Sequence, residues 1–324
     1  MPPRAMKNLE LDEQERLLVR LAWACEIEGI TQAAAAQRFG ITRLRVNQAL
    51  AEARRRGIVR VSINSVYGPC AELETALLER FGLDKASVVP TPADPGAIQA
   101  IVGAALGHYL TRLLARPEIR LFGMSWGNTL NLAIRYMERL NRPDLEIVSV
   151  MGGLSKGSDL NSYEITQRLG NLCNARHRYF TAPIYAGSAE SRDVLIAQDV
   201  FREVIEKIRS ADALAMAAGD MENSLLIRDG LPSEFTAAEL IEAGAVGDIL
   251  GYMLDAEGNP IDHPINSRLI GIELEDLNAI PNTILAAGGP HKVAIMRACL
   301  ARGCVNTLVT DEETARMLLE EDAP

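Results

Sequence analysis

Histidine and cysteine are too few and too scattered for metal or redox chemistry. The 324 residues hold four histidines, His108, His177, His263 and His291, with no HxxxH or HExxH pair among them. That spacing argues against a zinc site, and no metal is expected. The five cysteines, Cys25, Cys70, Cys173, Cys299 and Cys304, are an odd count with no CxxC pair. They read as reduced thiols of a cytosolic protein. The N-terminal stretch MPPRAMKNLELDEQER has no apolar segment of the signal-peptide kind. No uninterrupted run of about 18 apolar residues follows it. A soluble, cytoplasmic chain without a membrane partner is therefore expected. Tandem repeats and low-complexity tracts are also missing. Neither a GxxxxGK[ST] loop nor a GxGxxG fingerprint occurs, and no cofactor is expected.

Charge is plentiful but uneven. The chain carries −10 overall and is 48% hydrophobic, enough for one large core and a small satellite domain. Residues 16–60 hold nine arginines against Glu26, Glu28 and Glu52, a net +6 that leaves −16 on the rest. A basic head on an acidic body is the footprint of local phosphate contact. A solvated charged helix face explains the charge alone equally well.

The basic stretch is also patterned. Leu17, Leu18, Leu21, Ala22 and Cys25 recur at helical steps over 13–28, and Gly29 ends that helix. Thr31 can cap a second helix, with Ala35, Ala36 and Phe39 inward. Gly40 supplies a tight turn. Thr42 caps a third helix that runs to about Arg56, on which Val46, Leu50 and Ala53 form the buried stripe. Arg43, Arg45, Asn47 and Gln48 point elsewhere in its first two turns. Arginine suits guanine, and asparagine or glutamine suits adenine. Val59, Val61 and Ile63 then alternate with Arg60 and Ser62 as a strand or wing. The pattern predicts a helix-turn-helix whose second helix enters the major groove of operator double-stranded DNA. Arg43, Arg45, Asn47 and Gln48 are the base readers, while Thr31, Gln32, Thr42 and Arg54 hold phosphates or cap the helices beside them. Such three-helix modules also serve as docking units.

The domain plan is a head over 1–63, a linker over 64–70 and an effector domain over 71–324. Beyond the linker, strand-like runs at 86–89, 119–124, 145–151, 177–181, 212–218, 249–254, 268–272, 282–287 and 305–309 alternate with helical patterns. The helices lie at 97–115, 128–140, 161–173, 193–209, 290–302 and 311–320. This predicts an α/β domain with a largely parallel sheet. Ligands of open α/β sheets gather beyond the carboxyl ends of the strands. The junction LFGMSWGNTL places Gly123, Ser125, Trp126, Gly127, Asn128 and Thr129 there, small and hydroxyl residues that let an anion approach a helix N-terminus. In VMGGLSKGS, Gly152, Gly153 and Lys156 follow a strand. In ILAAGGPHK, Gly288, Gly289 and Lys292 do the same. The glycines of LFGMSWGNTL are equally explained by an ordinary tight turn, and a surface lysine on a flexible loop is the more common explanation of Lys156. Asp248 can accept hydrogen bonds from a pair of sugar hydroxyls, or cap a turn. Asp220 is a weaker candidate of the same kind.

Together these stretches resemble the SorC family of bacterial sugar-responsive transcriptional regulators, DeoR-like proteins with a C-terminal sugar-binding domain. The motifs are ITQAAAAQRFGITRLRVNQAL, LFGMSWGNTL, VMGG, TAPIY, AGAVGDILGYMLDAEGNPI and AAGGPHKVAIMRACLARGCVNTLVTDEETA, spread from Leu17 to Leu319. The resemblance implies a winged all-α head and an α/β effector domain similar in fold to glucosamine-6-phosphate deaminase and ribose-5-phosphate isomerase. It also implies a sugar, polyol or sugar-phosphate effector and a homo-oligomer, dimer or tetramer. Gly123, Ser125, Gly127, Asn128 and Thr129 match the family's first effector loop, and Gly152 with Gly153 its second. Asp248 matches its sugar-hydroxyl carboxylate and Lys292 its phosphate-contacting lysine. Asn128 stands where the family often has a basic or hydroxyl residue, which weakens a phosphate clamp. Asn47-Gln48 stands for the more usual Ser-Arg and implies a different operator. The expected function is an effector-controlled regulator, a repressor of a carbohydrate or polyol catabolic operon, and not an enzyme. The rival is a sugar-phosphate isomerase or deaminase with a helical appendage, using Asp248 with Lys156 or His291 as an acid–base pair.

Overall fold

The computed structural model describes residues 4–59, 65, 67–154 and 160–320. The chain divides into two compact units, 1–65 and 66–324.

The first unit is a three-helix head made by local signals. Helix α1 (Arg4–Ala22) runs on through a wider turn, Trp23–Ile27. Thr31 then accepts a hydrogen bond from the Ala34 N–H at 3.2 Å and opens α2 (Gln32–Phe39). Gly40 takes the left-handed conformation at φ 66°, which a side chain would oppose. Thr42 accepts from the Arg45 N–H at 3.2 Å and opens α3 (Arg43–Arg55). Each cap satisfies a donor that the first helical turn leaves without a partner. Leu18, Leu21, Ala35, Val46, Leu50 and Ala53 meet in the core, and the alanines let the helices approach closely. Of the predicted wing, Val61 and Ile63 lie outside the described residues.

The second unit opens with α4 (Gly68–Phe81) and β1 (Lys85–Val89), followed by α5 (Ile98–Leu114), β2 (Leu121–Met124), α6 (Asn128–Arg135) and β3 (Glu146–Ser149). Next come α7 (Ser162–Cys173), β4 (Arg176–Arg178), α8 (Ala189–Ile196), α9 (Asp199–Arg209), β5 (Ala213–Met216) and β6 (Ala218–Gly219). The chain ends with α10 (Ala237–Glu242), β7 (Gly247–Ile249), β8 (Tyr252–Leu254), α11 (Pro264–Ser267), β9 (Thr283–Ala286), α12 (Val293–Arg302), β10 (Thr307–Asp311) and α13 (Glu312–Leu319). Helix α4 starts inside the stretch read as linker, because Pro69 suits a first helical turn.

Seven strands form a parallel sheet in the order β1-β10-β9-β5-β2-β3-β4. From β2 the chain moves outward to β3 and β4, then returns to place β5 on the other side of β2. The order reverses there, and the loops leaving β2 and β5 part to open a crevice. β5, β9 and β10 are buried along their whole length, as expected for a sheet covered on both faces. Together with its lead-in, α5 is apolar and long enough to cross a bilayer by length and composition. It is a core helix here, burying Val102, Leu106 and Leu110. A Cβ on its Gly107 would stand 2.4 Å from the Ala133 carbonyl, so glycine sets the close approach of α6.

Three predicted elements differ. The strand expected over 249–254 is a hairpin, β7 and β8, turning at Leu250 and Gly251 with φ of 53° and 89°. An apolar run hid the turn because Leu250 is itself buried. The strand expected over 268–272 makes only isolated bridges, Leu269 to Tyr185 and Gly271 to Met151. The helix expected over 193–209 breaks at Gln198, whose backbone is extended.

Candidate effector cavity and nucleic-acid interface

A cavity of about 310 Å³ opens above the carboxyl ends of the three neighbouring strands β9, β5 and β2. After β2, Trp126, Gly127, Asn128 and Thr129 form one wall. After β5, Ala217 to Asp220 and Asn223 to Leu226 form the second, and His291 and Lys292 follow β9. β7 brings in Asp248, α5 brings Gln99, and Leu160 and Arg228 complete the lining.

The floor is charged and almost dry. Lys292 is 7% exposed, Asp220 5% and Asp248 4%. The Lys292 ammonium donates to the Ala218 carbonyl at 3.0 Å. Burial pushes its pKa down, and the Asp220 and Asp248 charges oppose that shift. Burial pushes Asp248 the other way, up to about 7, against the Gly251 N–H and the Lys292 charge. Asp220 is held by the N–H groups of Glu222 and Asn223 at 2.9 and 2.6 Å, and its second oxygen lies 4.0 Å from His291 Nε2. Gly219 makes room for this floor, since a Cβ there would fall 2.0 Å from Asp248 Oδ1.

The rim is mostly neutral. Asn128 Nδ2 donates to Gln99 Oε1 at 2.7 Å. Helix α6 has no side-chain cap, so its first N–H groups are left for water or a ligand. The Thr129 hydroxyl beside them has no hydrogen-bond partner among the described residues, although Thr129 is only 2% exposed. Arg228 adds a cation to the lining and stands 3.7 Å from Asp229. Among the described residues, two carboxylates, the Lys292 ammonium, the Arg228 guanidinium, amides and the Thr129 hydroxyl line the cavity, and the mixture suits a polyhydroxylated ligand, each of whose hydroxyls both donates and accepts.

Of the expected effector residues, Trp126, Gly127, Asn128, Thr129, Asp248 and Lys292 come together here. The other described ones do not line it. Gly123 sits within the sheet, where a Cβ would press on Val150 at 2.7 Å. Ser125 is turned to the Met151 sulfur at 3.6 Å. At Gly152 a Cβ would meet the Pro183 carbonyl at 2.3 Å, and at Gly153 the Tyr163 ring at 2.5 Å. Gly153 lines a separate hollow with Pro183 and Tyr185. Gly288 packs on Asp311, and the Gly289 N–H is used by Thr314 Oγ1 at 2.7 Å. Gly123, Gly152, Gly153 and Gly288 serve close packing, whereas Gly289, at φ 100°, opens the turn that carries Lys292. Lys156 lies outside the described residues. Gln99, Asn223, Ser224 and Arg228 are not marked by any local motif, and His291, which the sequence offers only as an acid–base partner of Asp248, joins them in the lining. Among the described residues no cluster of three or more His, Cys, Asp or Glu side chains can hold a metal ion.

On the head, Thr42, Arg43, Arg45, Asn47 and Gln48 are exposed along the first turns of α3, and Gln32 is half-buried at the start of α2. Thr31 and Thr42 are occupied as caps. Arg54 pairs with Glu26 at 2.8 Å, so its charge is already partly spent within the head.

Two family models match the chain: one described as a putative sugar-binding domain over residues 66–320, and sigma-70, region 4, over residues 9–56. The erythritol catabolism regulatory protein EryD of Brucella abortus (strain 2308) is 30% identical over 310 residues, covering 95% of this chain and 98% of that protein. The transcriptional regulator LsrR of Escherichia coli O157:H7 is 32% identical over 314 residues, covering 94% and 95%. Among solved structures, the full-length sorbitol operon regulator SorC from Klebsiella pneumoniae aligns with a TM-score of 0.70, at 24% identity, over 95% of this chain and 100% of that one. That last likeness is one of fold. A sugar-binding domain behind a helix-turn-helix region, in a chain alike over nearly its full length to named regulators, places this protein: it belongs to the SorC family of sugar-responsive bacterial transcriptional regulators.

Proposed function

We propose that this regulator binds a small polyhydroxylated effector, a free sugar or short polyol, in the cavity above β9, β5 and β2. It holds operator duplex DNA through α2 and α3, and acts as a cytoplasmic repressor of a carbohydrate or polyol operon. It works as a homo-oligomer, dimer or tetramer, because two heads must match two half-sites. The observation that carries the effector reading is the buried floor. Among the described residues, the buried carboxylates Asp248 and Asp220 face one buried ammonium, Lys292, so the floor holds more acidic than basic groups and favours hydroxyls over a phosphate. An ionised Asp248 accepts from two neighbouring hydroxyls, Lys292 donates to a third, and the Asn128–Gln99 amides serve the other end. The Brucella abortus relative is named for erythritol catabolism, so four-carbon polyols head the set to be tried.

A phosphorylated sugar is the second reading, favoured by the uncapped α6 N-terminus, the free Thr129 hydroxyl and Arg228 at the rim. A thermal-shift screen of sugars, polyols and their phosphates separates the two, since a ligand of the folded state raises the melting temperature. Trp126 lines the cavity, and the other tryptophan, Trp23, is in the head. A Trp23→Phe chain therefore reports cavity occupancy by fluorescence. Shifts from free polyols or sugars support the first reading. Shifts from phosphates alone move the ligand to the α6 rim, and turnover of any of them contradicts both.

A further inference from the structure

Leu44 is the apolar exception on the recognition helix. It is 67% exposed and lies between Arg43 and Arg45 in the first turn of α3. The helix buries Val46, Ala49, Leu50 and Ala53 against α1 and α2. At about 100° per residue, the line opposite that stripe runs through Leu44, Gln48 and Ala51, with Asn47 beside it. All four are exposed, and neither amide makes a side-chain hydrogen bond among the described residues. Arg43 and Arg45 fall about a quarter turn to either side of that ridge. Neither makes an ion pair among the described residues, whereas Arg38, Arg54, Arg55 and Arg56 are engaged with Glu28, Glu26 and Glu52.

A helix in the major groove turns its outermost ridge to the base edges and its flanks to the phosphate walls. We propose that Leu44, with Ala51 about two turns behind it, reads thymine through the 5-methyl group, and that Gln48 and Asn47 take the neighbouring adenine edge. Arg43 and Arg45 then hold phosphates, in place of the base-reading role their residue type suggests. This rests on the head binding DNA, and its test distinguishes the two claims.

The probe is a duplex that the full-length protein retains from a random-sequence library. Each thymine is replaced in turn by deoxyuridine, which removes only the methyl group. At least one replacement weakens wild-type binding about fourfold, the worth of one buried methyl. Leu44→Ala binds the thymine duplex about fourfold more weakly and loses its sensitivity at that position. Leu44→Met keeps an apolar reach and keeps the sensitivity. Arg43→Ala and Arg45→Ala weaken all duplexes alike and each lower the salt slope by about one. A flat uracil scan with the wild type, or undiminished sensitivity in Leu44→Ala, overturns the role of Leu44 while leaving DNA binding intact. A protein that retains no duplex overturns both.

Discussion

The head and the body put their polar residues to opposite use. In the head, the core is small and alanine-rich, and the informative side chains stand in water on α3. In the body, the informative side chains are under the surface: Asp220, Asp248 and Lys292 are as buried as the leucines around them. An exposed arginine costs little to hold and meets DNA through charge that salt screens. A buried carboxylate–ammonium group is costly to desolvate and keeps its strength only while every member is present. The contrast separates a unit suited to meeting a polyanion by its surface from one suited to holding a small sugar-type ligand among buried groups. Substitutions in the two units should therefore differ in size as well as in kind.

The largest effect is expected from Lys292→Met. It leaves Asp220 and Asp248 facing each other without the ammonium, and should destabilise the body by about 3 kcal/mol in urea unfolding. A loss under about 1 kcal/mol would mean that the floor is wetter than its burial indicates. Gly219→Ala comes next. Its Cβ competes for the space of Asp248 Oδ1, so effector affinity should fall at least about tenfold, or about 1.4 kcal/mol. Unchanged affinity by calorimetry would remove Asp248 from the site.

Acidification should give an effect of about tenfold. Asp248, lifted by burial to about 7, must be ionised to accept from effector hydroxyls. Affinity is therefore present above pH 7 and lost as pH falls through it, with an apparent Kd about tenfold higher at pH 6 than at pH 8. For folding, the sign is reversed. A raised carboxyl pKa means that ionisation is disfavoured in the native state, so this group's contribution to stability falls as pH rises from its ordinary range to about 7. An effector titration with no pH dependence would contradict the assignment. The smallest effect belongs to the head. Thr42→Ala removes the α3 cap and should cost about 1 kcal/mol, read as faster hydrogen exchange in the first turn of α3. Unchanged exchange would show that the core, and not the cap, holds that turn.

The same contrast explains what could be read from sequence. The head is legible because its rules are local: Thr31 and Thr42 cap, Gly40 turns, and Val46, Leu50 and Ala53 repeat on one face of α3. The parallel sheet is legible too, since buried strands are apolar runs between helical periods. The cavity is only partly so. Trp126, Gly127, Asn128 and Thr129 stand together in sequence, but Gln99, Asp220, Arg228, Asp248 and Lys292 meet only once β5 has returned beside β2. Glycine misleads most. Gly152 and Gly288 follow strands in sequence as effector-loop residues would, yet a Cβ would strike the Pro183 carbonyl at 2.3 Å in the first case and Asp311 Oδ1 at 2.5 Å in the second. The requirement for no side chain is real, but its cause is packing from distant segments, which no short motif carries.

The central claim is that occupancy of the buried floor changes what the exposed helix does. The direct measurement is the affinity of the full-length chain for a retained duplex, with and without the effector found by the screen, in wild type and in Asp248→Asn. The account predicts that the effector weakens wild-type DNA binding and leaves Asp248→Asn unmoved at the same concentration. An Asp248→Asn chain that releases DNA at the wild-type effector concentration would contradict it.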